Sequence, residues 1–186
     1  MELLTGEPLA LDLVNTRARL PSGADYDALD EVDDFHAWLE RQSGRLTVPE
    51  ARLGPPDLAA VRELRGHVVA TLEAVRQATP PPPGSVAALN EALRSAPAYP
   101  CMEARGAVLA RGSRRDGTPV TRLLTELAEA ALALLTDPNV GKVRGCEAPD
   151  CRMLFLPAHP RRRWCSPDLC GNRVRVARYY QRHKST

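Results

Sequence analysis

Four of the five cysteines fall within a 25-residue stretch near the C-terminus, in two pairs of equal spacing. Cys146 and Cys151 are separated by four residues, Cys165 and Cys170 by another four, and thirteen residues lie between the pairs. Thiolate is a soft anionic donor. Four thiolates at this spacing suit one tetrahedral Zn²⁺, whose Zn–S bonds of about 2.3 Å require ligands delivered by two tight turns. The intervening span is long enough for a short hairpin that folds one pair back onto the other. Two disulfides are the first alternative, and they fit poorly with a chain that carries no sign of secretion. Two reduced, buried pairs are the second. A shell of four sulfurs leaves no open position for water, so a zinc held there is structural, not catalytic.

The flanking residues say how the thiols are delivered. Ala148-Pro149-Asp150 has turn chemistry, and Met153-Leu154-Phe155-Leu156 reads as a strand. Ser166 is a good N-cap, Pro167 a good first helical residue and Asp168 complements the positive helix end, which places Cys170 in the first turn of a helix. A knuckle, a short β element and a helix that delivers the last ligand make a treble-clef-like finger. His159 is a nearby rival ligand that four sulfurs make unnecessary.

Cys170-Gly171-Asn172-Arg173, following Arg161-Arg162-Arg163-Trp164-Cys165, resembles the CGNR zinc finger family. Leu11-Asp12-Leu13-Val14-Asn15-Thr16 is similar to the LDFVNT-type motif of the domain found N-terminal to that finger. The resemblance spans the chain and implies a helical N-terminal domain followed by a DNA-binding finger, in a stress-response transcription regulator. That function is itself inferred at family level. Leu156-Pro157-Ala158-His159 departs from the family, which often has Asp and Ser there.

Charge supports a polyanion partner for the finger. Residues 142–186 carry 11 Lys and Arg against 3 Asp and Glu, a balance of +8, so the whole-chain value of +2 leaves −6 for residues 1–141. A basic tail on an acidic body fits a tail that binds double-stranded DNA and a body that does not. Arg161, Arg162 and Arg163 precede a zinc ligand and suit phosphate contacts. Arg175, Arg178 and Arg182 share one stripe of a helix running from Pro167 to about Gln181, long enough to lie in a major groove. Asn172 and Arg173 sit near its start, within reach of a base edge or, equally, of the knuckle itself. Val176, Tyr179 and Tyr180 are expected to pack against the finger or the body, and Trp164 over the metal. A zinc-stabilised protein-interaction module is the second reading of the finger.

The body contains no Gly-rich phosphate loop, no His-Glu-x-x-His and no nucleophile in an identifiable motif, which argues against an enzyme. A third reading, an enzyme with scattered residues, would use Asp12, Asn15 and Arg17, which could also line the pocket of a small-molecule effector. Their structural reading has Asp12 and Asn15 bonding local backbone and Arg17 pairing with an acid. The chain lacks a basic leader, and its longest apolar run, residues 130–135, is far short of a membrane span, so the expectation is a cytoplasmic protein without a membrane partner. Homo-oligomerisation is compatible with a regulator of this kind.

The elements that must position these groups are mostly helices. Residues 8–17 read as a short helix, residues 22–33 as turns, and Phe35, Trp38 and Leu39 as the core face of a helix ending at Gly44. Residues 57–79 form the clearest amphipathic helix, ended by the prolines from Pro80 to Pro83, and Ser85 caps the next helix. His67 reads as a partly buried polar group and Cys101 as a small buried hydrophobe. Residues 102–105 and 108–111 form a hairpin around Gly106, with an exposed turn over residues 111–117. Thr118-Pro119 opens a last helix that stops at Asp137-Pro138. The fold class is thus mainly α, with domains at 1–139 and 140–186 joined by a short stiff segment.

Overall fold

The computed structural model describes residues 5–19 and 23–183. Its body is a packed group of helices: α1 (Leu9–Val14), α3 (Pro55–Arg76), α4 (Pro83–Ser95) and α5 (Pro119–Leu135), with α2 (Val32–Arg41) set against α3. In α3 the apolar residues Leu58, Val61, Leu64, Val68 and Leu72 recur every three or four positions, and all are buried. The Gly54 amide donates to the Asp57 carboxylate at 2.8 Å, closing the N-terminal turn. At the other end Ala78 takes a left-handed φ of 53° and the Thr79 amide returns to the Ala74 carbonyl at 2.9 Å, before the prolines forbid further helix. Thr118 caps α5 by accepting from the Thr121 amide at 3.2 Å. Phe35, Trp38 and Leu39 of α2 are in the core, as their spacing required.

Three two-stranded antiparallel ladders complete the fold. The first, β1 (Arg17–Arg19) with β2 (Asp25–Asp27), was not expected: its strands are three residues long, Arg17 reads as the end of the first helix, which stops at Val14, and β2 lies in the segment that reads as turns. The second, β3 (Tyr99–Arg105) with β4 (Val108–Arg114), turns at Gly106 and is longer than predicted. Arg111–Arg114, read from the sequence as a turn, is strand because it continues the ladder opposite Tyr99–Met102. Cys101 sits opposite Gly112 and is only half-buried. Ser85 also departs from expectation: it lies inside α4, where its hydroxyl meets His67 Nδ1 at 3.2 Å, and Pro82 occupies the cap. The third ladder, β5 (Arg144–Gly145) with β6 (Leu154–Phe155), belongs to the C-terminal finger.

A buried arginine fixes the β1–β2 hairpin to the body. Arg65 of α3 is 1% exposed, yet its guanidinium grips both Asp27 carboxylate oxygens at 2.6 Å and the Thr16 hydroxyl at 2.6 Å. Burial pushes the Asp27 carboxyl up, but the hydrogen bonds from Arg65, the Leu29 amide and Arg17, with the charge of Arg65, outweigh it and hold the pKa below the usual carboxylate value. Because the folded pKa is the lower one, this pair stabilises the fold above about pH 3.9, the unfolded value, and the contribution disappears as pH falls through the folded pKa. Asp27→Asn should therefore cost about 3–5 kcal/mol at pH 7 by leaving a buried guanidinium uncompensated, and should flatten the acid limb of the stability profile. Denaturant unfolding between pH 7 and pH 3 checks both; a variant within about 0.5 kcal/mol of the parent at pH 7 would show that the pair is not what holds the hairpin.

Candidate metal centre

The finger begins where the body's last helix turns into a 3₁₀ turn at Val140–Lys142. Val140 and Val143 are buried in the body's core, so the connection is a packed joint. The Cys146–Cys151 knuckle then bulges between β5 and β6: the Cys146 amide donates to the Met153 carbonyl at 2.9 Å, and the Cys151 amide to the Ala148 carbonyl at 3.1 Å. Asp150, at φ 61°, supplies the left-handed residue of that turn, a conformation Asp tolerates better than most. The hairpin thus flanks the first pair, whereas the sequence reading placed it in the span between the pairs. The second pair is as expected. Ser166 accepts from the Leu169 amide at 3.1 Å, a single wide turn at Pro167–Gly171 carries Cys170, and α6 (Asn172–His183) follows.

The four Sγ atoms lie within 4.8 Å of one another. Cys151 to Cys165 is 3.8 Å, Cys165 to Cys170 3.5 Å and Cys170 to Cys151 3.7 Å. A tetrahedral shell with 2.3 Å bonds requires edges of about 3.8 Å. The residues therefore fit one structural zinc ion, in a treble-clef-like finger. The protonation chemistry agrees. Hydrogen bonding from Cys165 pulls Cys151 down to about 5, whereas the bond to Cys151 and burial push Cys165 far up, and burial pushes Cys170 up to about 12. Cys165 and Cys170 are thus held toward the thiol beside the Cys151 thiolate, and a dication at the centre is what would let these sulfurs ionise together. His159 stays outside: its Nδ1 accepts from the Arg161 amide at 3.1 Å.

Of the three residues that follow Cys170, two have a visible structural task. A Cβ on Gly171 would stand 3.3 Å from the Trp164 ring, so glycine lets the indole lie against the second knuckle. The Arg173 guanidinium donates to the Pro149 carbonyl at 3.1 Å and approaches the Cys170 sulfur at 3.7 Å, tying the two knuckles together. Asn172 is exposed, with no side-chain partner among the described residues.

The other residues singled out in the sequence divide sharply. Arg162 is turned inward: it pairs with Glu7 at 2.5 Å, donates to the carbonyls of Trp164 and Cys165, and covers the buried Phe155 ring at 4.5 Å. Arg163 pairs with Glu147 at 2.5 Å and lies over the edge of Trp164. Arg161 is exposed and has no acidic partner among the described residues. On α6, Arg175, Arg178 and Arg182 are exposed, and the side chains of Arg175 and Arg182 bond only to backbone carbonyls. Val176, Tyr179 and Tyr180 do not pack inward as expected; they are 45%, 53% and 61% exposed because α6 extends beyond the finger's small core.

Asp12, Asn15 and Arg17 do not converge on a cavity. Asp12 is a buried acceptor for the amides of Gly6 and Glu7 and for the side chains of Gln42 and Arg45. Arg17 is a surface partner of Asp27 at 3.1 Å. Asn15 reaches 139 residues along the chain: its amide donates to the Leu154 carbonyl and its Oδ1 accepts from the Leu154 amide, both at 2.8 Å. Glu7, which drew no attention in the sequence, accepts from the Leu156 amide at 2.9 Å and from Arg162. Ala18 and Tyr26 of the β1–β2 hairpin share a core with Phe155, Met153 and the cysteines. Nothing short of three-dimensional contact could have singled out Glu7 or the true partner of Asn15.

Two family models match the chain. Residues 7–138 match the ABATE family, described as "Putative stress-induced transcription regulator", and residues 142–183 match the CGNR zinc finger. The first match alone spans more than half of the 186 residues, and the chain belongs to that family, with a CGNR zinc finger at its C-terminal end. No curated protein matches it.

Purified, reduced protein should contain about one zinc per chain, and Cys165→Ser or Cys170→Ser should remove it. Because the finger's core is small and the body's is large, chelation should expose the amides of residues 144–183 to hydrogen exchange while those of α3 and α5 stay protected. Elemental analysis and exchange mass spectrometry read the two outcomes. Full metal content in the Cys165→Ser variant would exclude the four-sulfur site.

Proposed function

We propose that this chain is a DNA-binding transcription regulator in which the zinc site fixes α6 as the element that meets duplex DNA. The observation that carries this reading is the row Arg175, Arg178 and Arg182 on α6, exposed and without acidic partners among the described residues, on the +8 half of an otherwise acidic protein. Guanidinium groups presented at positions i, i+3 and i+7 along a rigid helix match phosphates lining a groove. Arg161 belongs with them, and exposed Asn172, at the first turn of α6, is placed to meet a base edge. Arg162 and Arg173 are assigned instead to holding the finger together, and Arg163 to its pair with Glu147. The zinc ion supplies no reaction in this scheme. It holds the loop carrying Arg161 and the start of α6 in one orientation, so that binding need not order them.

The exposed Val176, Tyr179 and Tyr180 favour a second reading, a protein-docking helix. Salt dependence separates the two, since phosphate contacts release counterions and an apolar protein interface does not. In a salt series with specific and scrambled duplexes, each of Arg161→Ala, Arg175→Ala, Arg178→Ala and Arg182→Ala should make the log–log slope shallower by about 0.9. Arg162→Ala should act through stability, lowering the unfolding midpoint at unchanged slope. The body alone, residues 1–139, should not bind. An unchanged slope in the quadruple variant, with zinc content intact, would remove the DNA reading and leave the docking helix.

A further inference from the structure

The body carries a cleft of about 710 Å³ between the segment 47–50, the base of the β3–β4 hairpin and the first turns of α5. That is the size of an ordinary small-molecule site. Val48, Pro49 and Pro119 contribute apolar surface to it, over buried Leu123. Its charged groups are unevenly committed. Arg115 is compensated twice, by Glu129 at 2.5 Å and by Glu126 at 3.9 Å, and also donates to the Ala96 carbonyl. Glu126 accepts in addition from the Thr47 amide at 2.9 Å, and Asp116 accepts from the Tyr99 hydroxyl at 2.9 Å. Arg114 and Arg122 face the same cleft with no hydrogen-bond or acidic partner among the described residues. Exposed Glu50 is the one lining acid left without a partner.

Arg122 is the decisive group. It is half-buried on α5, in a body whose net charge is −6, and acids are plentiful enough nearby for its neighbour Arg115 to hold two of them. Partly desolvating a guanidinium without a counter-ion is unfavourable, and an anion entering the cleft would remove that cost through a planar, bidentate contact. We propose that this cleft binds a small organic acid, its carboxylate held by Arg122 and Arg114 and its apolar part against Val48, Pro49 and Pro119. The site differs from the Asp12, Asn15 and Arg17 group, and the inference does not rest on the DNA reading.

Titration calorimetry on the full, zinc-loaded chain with phenylacetate, 2-phenylacetamide and inorganic phosphate tests it. Phenylacetate should bind saturably at one per chain. Phenylacetamide, which keeps the apolar part and lacks the charge, should bind at least tenfold more weakly, and phosphate, which leaves the apolar wall uncovered, should also be weaker. Arg122→Gln should weaken phenylacetate about tenfold at unchanged zinc content and unfolding midpoint. Should that variant lose its fold, Arg114→Gln on the exposed strand end makes the same test. Absence of saturable phenylacetate binding, equal binding of the amide, or full affinity in a folded Arg122→Gln protein would each overturn the proposal, and tighter binding of phosphate would overturn the organic-acid assignment.

Discussion

Four sulfur atoms held within 4.8 Å of one another cannot all be thiolates unless a dication sits among them. The C-terminal finger, residues 142–183, depends on that constraint. Its own buried set is small, with Phe155, Met153, Ala148 and Val174 beside the cysteines, and a single ladder of two-residue strands cannot hold such a piece in one conformation. The residues around the metal are chosen for the same end. Gly171 makes room for Trp164, Arg173 bridges the Pro149 carbonyl and the Cys170 sulfur, and Ser166 caps the turn that brings Cys170 in. The tetrad Cys170-Gly171-Asn172-Arg173 is therefore mostly architecture, with exposed Asn172 as the member left over.

The finger is nevertheless not an independent bead. The strand β6 would present the unpaired amide and carbonyl of Leu154 to its neighbours, and the Asn15 side chain satisfies both, as a strand edge would. Glu7 repeats the device one pleat on, at Leu156, and its own backbone is fixed by Asp12 and Arg45. Each hydrogen bond contributes only about 1 kcal/mol net, but leaving these groups buried and unpaired would cost more. The hexamer Leu11–Thr16 thus has a divided purpose. Leu11 and Leu13 fill the body's core, Thr16 receives Arg65, and Asp12 and Asn15 set the seam to the finger. Metal loss would consequently be felt in the body, through β6.

What could be read from the sequence follows from how local the causes are. Cysteine spacing, the Ser-Pro-Asp cap before Cys170 and the three-and-four periodicity of α3 and α5 are local, and each led to the right element. Ser85 misled because serine is a good cap, while the prolines before it had already started α4. The β1–β2 hairpin was invisible because three-residue strands carry no periodicity, and its stability comes from Arg65, 38 residues beyond Asp27. The site residues split the same way. The metal ligands were legible as a group, whereas the tasks of Asn15, Glu7 and Arg162 arise from contacts across 139, 149 and 155 residues.

Net charge misleads for a related reason. The +8 of the finger half suggests a uniformly basic surface, yet Arg162 is spent on Glu7 and Phe155, Arg163 on Glu147, Arg152 on Asp25 and Arg19 of the body on Asp150 of the knuckle. All of these ion pairs except Arg163–Glu147 join the acidic body to the basic finger, so part of the charge contrast is consumed at the seam. Among the described residues, Arg161 beside the knuckle and the row Arg175, Arg178 and Arg182 on α6 are exposed arginines without an acidic partner. On the proposed reading, this positive strip, aimed by a metal-held turn and set on an acidic body, is what would steer a polyanion toward one face of the molecule. The same logic of asking which charges are already answered marks Arg122 in the body, where the sum of charges is negative and gives no hint of it.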